Sequence, residues 1–132
     1  MHYLLDTHIL VWYLQENNKL PKRYDYLISE LEATQEKMAV SVMSLWEIAK
    51  LSERKRIKLD YSVDQFLIHI ESHPKIEVLP LNSFIILDSN RLGEKFPKDP
   101  IDQMIAATCR HHLLSLITCD QKIIDANVVA VA

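Results

Sequence analysis

Short apolar runs alternate along the chain with longer segments in which apolar residues recur every three or four positions. The short runs predict buried strands, and the longer segments predict amphipathic helices. The predicted strands cover residues 2–5, 38–42, 76–79, 113–118 and 128–131. The predicted helices cover residues 9–14, 21–31, 44–56, 63–70, 82–92 and 100–112. Because strands alternate with helices, the sequence predicts an α/β fold, a three-layer sandwich with a central, mostly parallel five-stranded sheet.

The segment that contains the fourth predicted strand carries acids before its helix and after its strand. Pro100 favours the first position of a helix, so Asp99 and Asp102 share the first turn. Asp120 directly follows the strand. A helix that precedes a parallel strand runs antiparallel to it and therefore begins at the edge where the strand ends. We expect these three acids at the carboxyl edge, where open parallel sheets bind ligands.

Two further acids are predicted at the same edge. Asp6 follows the first strand, and Glu47 lies in the first turns of the helix after the second strand. Carboxylates that converge repel one another and raise their pKa values unless a cation is present. Mg²⁺ binds through a few carboxylates, waters and substrate phosphates. The pattern therefore suggests a divalent-cation site suited to phosphodiester hydrolysis.

Each acid also has a purely structural interpretation. Asp99 before Pro100 is an ordinary helix N-cap, and Asp102 is an acid that favours a helix start. Asp120 could cap a short turn over residues 121–125. Asp6, between an apolar strand and an apolar helix, is the hardest to explain as solvated surface, and Glu47, between Trp46 and Ile48, is nearly as hard.

Composition narrows the class of protein. A chain of 132 residues with 48% hydrophobic residues is the size of one globular domain, which we expect to span residues 1–132. The net charge of −3 does not by itself suggest a nucleic-acid binder. Two cysteines without a CxxC spacing favour a reduced, cytoplasmic protein. The start, MHYLLD, predicts neither a signal peptide nor a membrane anchor. A single glycine excludes Walker and GxGxxG loops.

Other candidate groups favour simpler interpretations. His69 and His73 have the spacing of a zinc pair but no evident third ligand, so solvated helix residues are the better interpretation. Cys109 fits the core, and the two histidines at 111 and 112 fit a helix C-terminus. A basic segment follows Glu47, and it could steer RNA phosphates if it flanks the acids, although such clusters are usually solvated. Its candidate RNA-binding residues are Lys50, Arg54, Lys55 and Arg56.

Four motifs together resemble the PIN-domain ribonucleases, and most closely the VapC-type toxins of type II toxin–antitoxin pairs. They are LLDTH at 4–8, SLWEIAK at 44–50, DPIDQMIAAT at 99–108 and LITCD at 116–120. The resemblance covers essentially the whole chain, in order. It implies a strand order of 3-2-1-4-5 and an endoribonuclease that depends on Mg²⁺ or Mn²⁺.

The resemblance also assigns roles to residues. It implies that the catalytic acids, which also bind the metal, are Asp6, Glu47, Asp102 and Asp120. Asp99 joins them as a metal ligand, and Thr7 and Thr118 match small hydroxyl positions beside the acids. One position departs from the family, because Gln103 stands where Arg is common. This departure removes a positive neighbour that could hold RNA.

The same resemblance implies an RNA substrate, an antitoxin usually encoded next door, and a homodimer. A segment of such an antitoxin would lie in the active-site groove. The alternative function is a non-catalytic α/β module, either a phospho-acceptor or an RNA- or partner-binding domain. A receiver-type phospho-acceptor usually has paired acids after the first strand, whereas this chain has Asp6 followed by Thr7, which argues against it.

Overall fold

A computed structural model describes residues 1–16 and 18–132. Four strands are present in these residues: β1 Tyr3–Leu5, β2 Met38–Ser41, β3 Ile76–Leu79 and β4 Ser115–Ile117. The helices are α1 Thr7–Leu14, α2 Lys22–Glu32, α3 Val42–Glu53, α4 Val63–Ser72, α5 Ser83–Ser89, α6 Pro100–His112 and α7 Gln121–Ala126. None of these helices combines the length and the apolar character needed to cross a bilayer.

The strands form one parallel sheet in the order β3-β2-β1-β4. Tyr3, Leu4 and Leu5 pair with Ser115, Leu116 and Ile117, and this register joins the two ends of the sequence. The predicted α/β class and the order of the first four strands are confirmed.

The fifth strand predicted at residues 128–131 is wrong in extent. Only one parallel bridge, between Leu116 and Val131, is formed there. The reason is the shortness of β4, whose end residues face β1: Ser115 donates to His2, and Ile117 accepts from Asp6. Only Leu116 directs its amide and carbonyl away from β1, toward Ala130 and Ala132 at 2.8 and 2.9 Å.

Alternating residues of the sheet bury their side chains on opposite faces, as the pleat requires. Leu5 and Ile117 join a core cluster with α1 to α4, and Leu4 and Leu116 join a second cluster with α6 and α7. All four side chains are fully buried. The sheet is therefore covered on both faces, which gives the predicted three layers.

Several helices begin at the carboxyl edge of the sheet with a side-chain cap. Asp6 caps α1, Ser41 caps α3, Asp99 caps α6 and Asp120 caps α7. A capping oxygen satisfies amides that have no partner inside the helix. Local capping chemistry therefore places polar side chains along this edge.

Candidate active site

Five acidic side chains from four separate parts of the chain line one cavity of about 380 Å³. They are Asp6, Glu47, Asp99, Asp102 and Asp120. The cavity lies at the carboxyl edge of the sheet, beside the ends of β1 and β4. All the predicted acids are thus brought together, while their roles as catalysts and metal ligands stay predictions.

Asp6 is the most buried of these acids, with 8% of its surface exposed. One carboxylate oxygen accepts a 2.8 Å hydrogen bond from the Thr7 amide, and the other accepts a 2.7 Å bond from the Thr118 hydroxyl. Burial raises the pKa of Asp6, and these two bonds oppose the rise. Asp6 is therefore held in one orientation by groups from both ends of the chain.

Glu47 reaches the cavity from α3 and is partly buried. Burial raises its pKa, a hydrogen bond from Thr7 lowers it, and the charge of Asp6 raises it again. The Thr7 hydroxyl also lies 2.9 Å from the buried Ser44 hydroxyl. Thr7 thus connects the start of α1 to α3, the helix that carries Glu47.

The first turn of α6 supplies two acids with different surroundings. Asp99 is exposed and accepts hydrogen bonds from the amides of Ile101 and Asp102, at 2.8 and 3.2 Å. Asp102 is partly buried. Burial, followed by the charges of Asp6, Asp99, Glu47 and Asp120, raises the pKa of Asp102 to about 7. Asp99 is an N-cap, as the structural interpretation predicts, and it also lines the cavity.

Asp120 completes the cavity from the end of β4. It caps α7 through a 3.0 Å bond from the Lys122 amide. Its own amide donates to the Thr118 hydroxyl at 3.1 Å. Thr118 is fully buried, and its carbonyl accepts a 3.0 Å bond from the Tyr24 hydroxyl. Thr118 therefore links Asp6 to Asp120 through a single hydroxyl.

The donor set suits a hard divalent cation, because carboxylate oxygens are the ligands that Mg²⁺ and Mn²⁺ prefer. In residues 1–16 and 18–132, no group of three or more acidic, histidine or cysteine side chains is arranged so that it could hold a metal ion. Mg²⁺ commonly binds through one or two carboxylates and keeps several waters, so it does not need three protein ligands. The raised pKa values identify groups whose charge a cation would stabilise.

Four further residues line the cavity, and the sequence nominated none of them for the site: His8, Ile9, Trp12 and Cys119. His8 lies in the first turn of α1, and Cys119 precedes Asp120. Both His8 and Cys119 lie within two residues of a predicted acid, and this nearness in sequence is a signal that could have found them. Ser41 caps α3, and Ser44, three residues later, contacts Thr7.

The predicted basic residues do not line the cavity. Lys50 lies one turn beyond Glu47, 3.5 Å from Glu53, and above the Trp46 ring. The other three, Arg54, Lys55 and Arg56, are exposed at and after the end of α3. Their contact with RNA stays a prediction about the approach to the cavity.

Gln103, which stands where the family commonly has Arg, donates to the Pro97 carbonyl and lines a different cavity. The cysteine and the histidines of α6 agree with their simpler interpretations. Cys109 is fully buried in the core, and His111 and His112 lie exposed in the last turn of α6.

Comparisons with known proteins agree with this architecture. The family model of the PIN domain matches residues 3–129. Ribonuclease VapC22 of Mycobacterium tuberculosis is 29% identical over 120 residues, which cover 91% of this chain and 88% of that protein.

Two solved structures share the fold. One is VapBC-1 from nontypeable Haemophilus influenzae, with a TM-score of 0.72 and 20% identity over 100% of this chain and 97% of that chain. The other is a toxin–antitoxin complex from Klebsiella pneumoniae, with a TM-score of 0.64 and 20% identity over 97% of this chain and 95% of that one. With its sheet order, its acidic cavity and a match across nearly its whole length, this chain belongs to the PIN domain family.

Proposed function

We propose that this chain is a Mg²⁺- or Mn²⁺-dependent endoribonuclease, the toxin of a toxin–antitoxin pair, acting as one domain in the cytoplasm. The observation that carries the proposal is the convergence of five carboxylates in one cavity, where the pKa values of three are raised. Without a cation, repulsion among these carboxylates destabilises the fold, and a bound cation would relieve that repulsion. Groups with such perturbed pKa values commonly lie at functional sites. The similarity to a protein named as a ribonuclease supports RNA as the substrate.

The roles of the residues follow from their positions. Asp6, Glu47, Asp102 and Asp120 would hold the metal, with Asp99 at the rim. When bound, the divalent ion would activate a water, orient the RNA phosphate and offset charge on the leaving oxygen. Thr118 holds Asp6 and the Asp120 backbone in place, and Thr7 holds Asp6 and contacts α3 through Ser44.

The basic segment after Glu47 would guide RNA toward the cavity. Lys50 and Arg54 lie one and two helical turns beyond Glu47, so they share its side of α3. Positive charge beside an acidic cavity attracts the RNA backbone while the cavity itself admits a cation. Binding by these residues would weaken steeply as salt is added.

We further propose an antitoxin partner and a homodimer. The fold neighbours include VapBC-1 and a toxin–antitoxin complex, which supports a protein partner for this chain as well. The adjacent open reading frame should encode this partner. Co-expression of the two reading frames should yield a complex that does not cleave RNA, and size-exclusion chromatography with light scattering would report the stoichiometry.

The test of the activity is cleavage of RNA by the purified chain. We expect cleavage with Mg²⁺ or Mn²⁺, none with EDTA, and none by Asp6→Asn. The matched control is Asp64→Asn, an acid in the first turn of α4 that does not line the cavity. Equal cleavage by Asp6→Asn and the original chain would contradict the proposal and indicate a contaminating nuclease.

A further inference from the structure

Trp12 forms part of the wall of two neighbouring cavities. It lies in the second half of α1 and is partly buried. One of these cavities is the carboxylate cavity, and the other has a volume of about 510 Å³. Both volumes fall within the roughly 300–1,000 Å³ that is common for ligand sites. Trp12 therefore offers indole surface to a ligand at the boundary between the two.

His8 extends this aromatic wall along α1. It lies one helical turn before Trp12, is exposed, and lines the carboxylate cavity. The two ring centroids are 6.1 Å apart, with the ring planes at 56°. An aromatic surface thus stands directly beside the acids, next to where a bound phosphate would lie.

The charge around Trp12 selects the kind of group that can bind there. The second cavity is lined by three acids, Glu16, Asp25 and Glu32, and by one lysine, Lys22. A phosphate at Trp12 would face carboxylates on both sides, which is unfavourable. An uncharged planar group does not meet this repulsion.

We propose that Trp12, with His8 beside it, stacks a nucleobase of single-stranded RNA next to the scissile phosphate. This inference rests on the proposed function and names how the same site holds its substrate. Proteins that recognise single-stranded RNA commonly stack unpaired bases on aromatic side chains. The stacked base would position the neighbouring phosphate over the acids, so Trp12 would act through substrate binding.

Trp46 provides an internal control for this assignment. The chain has two tryptophans, and Trp46 is 50% exposed on α3, under Lys50. It lines neither cavity. Its surface is open to solvent, so exposure alone would favour Trp46 as a stacking platform, whereas the cavities favour Trp12.

Fluorescence distinguishes the two tryptophans. Trp46→Phe leaves only the Trp12 emission, and Trp12→Phe leaves only the Trp46 emission. Each variant is titrated with a single-stranded RNA hexamer in Ca²⁺, which replaces Mg²⁺ to suppress turnover. We expect saturable quenching of Trp12 in step with binding measured by anisotropy, and little change for Trp46. Binding of RNA without quenching of Trp12 would overturn the inference.

Cleavage kinetics give a second readout. Trp12→Leu should raise KM by roughly tenfold with a smaller change in kcat, since a base stack contributes about that much to affinity. Trp12→Phe should recover most of the loss, because it keeps an aromatic face. Trp46→Leu should leave KM within about twofold, as its side chain lies outside both cavities. Circular dichroism and thermal unfolding verify that each variant is folded.

The outcomes separate this inference from the nuclease proposal. If RNA quenches Trp12 and the chain cleaves no RNA with either metal, the base site stands and the nuclease fails. If the chain cleaves RNA and Trp12→Leu has an unchanged KM, the nuclease stands and the base site fails. If wild-type protein does not bind the hexamer at all, the base site fails, and the cleavage assay alone decides the nuclease proposal.

Discussion

The two ends of α6 carry opposite charges in very different surroundings. At its N-terminus, Asp99 and Asp102 line a cavity with three further acids. At its C-terminus, Arg110 contacts both carboxylate oxygens of Asp88, at 3.0 and 3.1 Å. Both ends agree with the helix dipole, which favours acids at the start and bases at the end. Helix electrostatics alone therefore does not distinguish an acid that stabilises a helix from one that performs chemistry.

The neighbours of each acid make the distinction. The ion pairs found in the described part of the chain use Glu36, Glu53 and Asp88, and none uses an acid of the cavity. Asp102 instead meets four carboxylates, and its pKa rises to about 7. Asp102 is therefore a carboxylate that other carboxylates destabilise by repulsion. A group in such an unfavourable environment is a candidate for function.

The largest expected effect is on catalysis. Asp102→Asn should lower kcat/KM for RNA cleavage by roughly a hundredfold or more, since several kcal/mol of transition-state stabilisation depend on a metal site. Asp88→Asn, on α5 beside the C-terminus of α6, should change it by less than about twofold. Equal losses of kcat/KM in the two variants would mean that the acid at the N-terminus of α6 matters no more for cleavage than the ion pair at its C-terminus.

The next effect concerns the hydroxyl that joins two of the acids. Thr118→Val removes one donor to Asp6 and one acceptor for the Asp120 amide while keeping the side-chain shape. Because both partners are left without that bond, the free energy of unfolding should fall by about 2 kcal/mol. Urea denaturation would measure it, with Thr34→Val as an exposed control whose loss should be smaller.

The pH dependence of stability should have an unusual sign. The folded, metal-free protein binds the Asp102 proton more tightly than the unfolded chain, where the pKa is near the ordinary 3.8. This contribution to stability is present below pH 3.8 and is lost as the pH rises through about 7. Asp102→Asn should therefore stabilise the metal-free protein at pH 8 by roughly 1 kcal/mol, a figure reduced for partial solvation.

Denaturation in EDTA at pH 8 and at pH 3.5 tests this sign. The stabilising effect of Asp102→Asn should be present at pH 8 and nearly absent at pH 3.5, where Asp102 is protonated in the folded state and mostly protonated in the unfolded chain. A destabilised variant at pH 8 would contradict the assigned charge repulsion.

The smallest effect belongs to the paired end of the helix. Arg110→Ala breaks the ion pair with Asp88, in which both side chains keep about a third of their surface exposed. The expected loss is about 0.5 kcal/mol at low salt, and it should shrink in 1 M NaCl because exposed pairs are screened. If the free energy of unfolding fell by as much as is expected for Thr118→Val, the contrast between the two ends of α6 would be contradicted.

Much of this arrangement could be predicted from local sequence. Three signals depend only on residues that are close together in sequence. They are the helix periodicity, the Asp99-Pro100 start of α6 and the acids that follow apolar strands. The carboxyl-edge rule then brings distant acids together without any knowledge of contacts. This is why the sequence alone predicts that Asp6 and Glu47 lie at one edge, where both line the cavity.

Other features depend on contacts that sequence patterns do not encode. The apolar run at 128–131 predicts a strand, but pairing is limited by the single outward-facing residue of β4, Leu116. The hydroxyl contact between Thr7 and Ser44 depends on how α1 packs against α3. The orientation of Trp12 toward the cavities is likewise set by packing, since periodicity places this apolar residue equally well in the core.

The bond between the Thr118 hydroxyl and Asp6 spans 112 positions of sequence. Residues 115–117 must pair with β1 before that bond can form, so no N-terminal fragment that stops short of them contains an assembled cavity. A ribosome making this chain would therefore expose no assembled cavity until residues 115–120 had emerged and β4 had paired with β1.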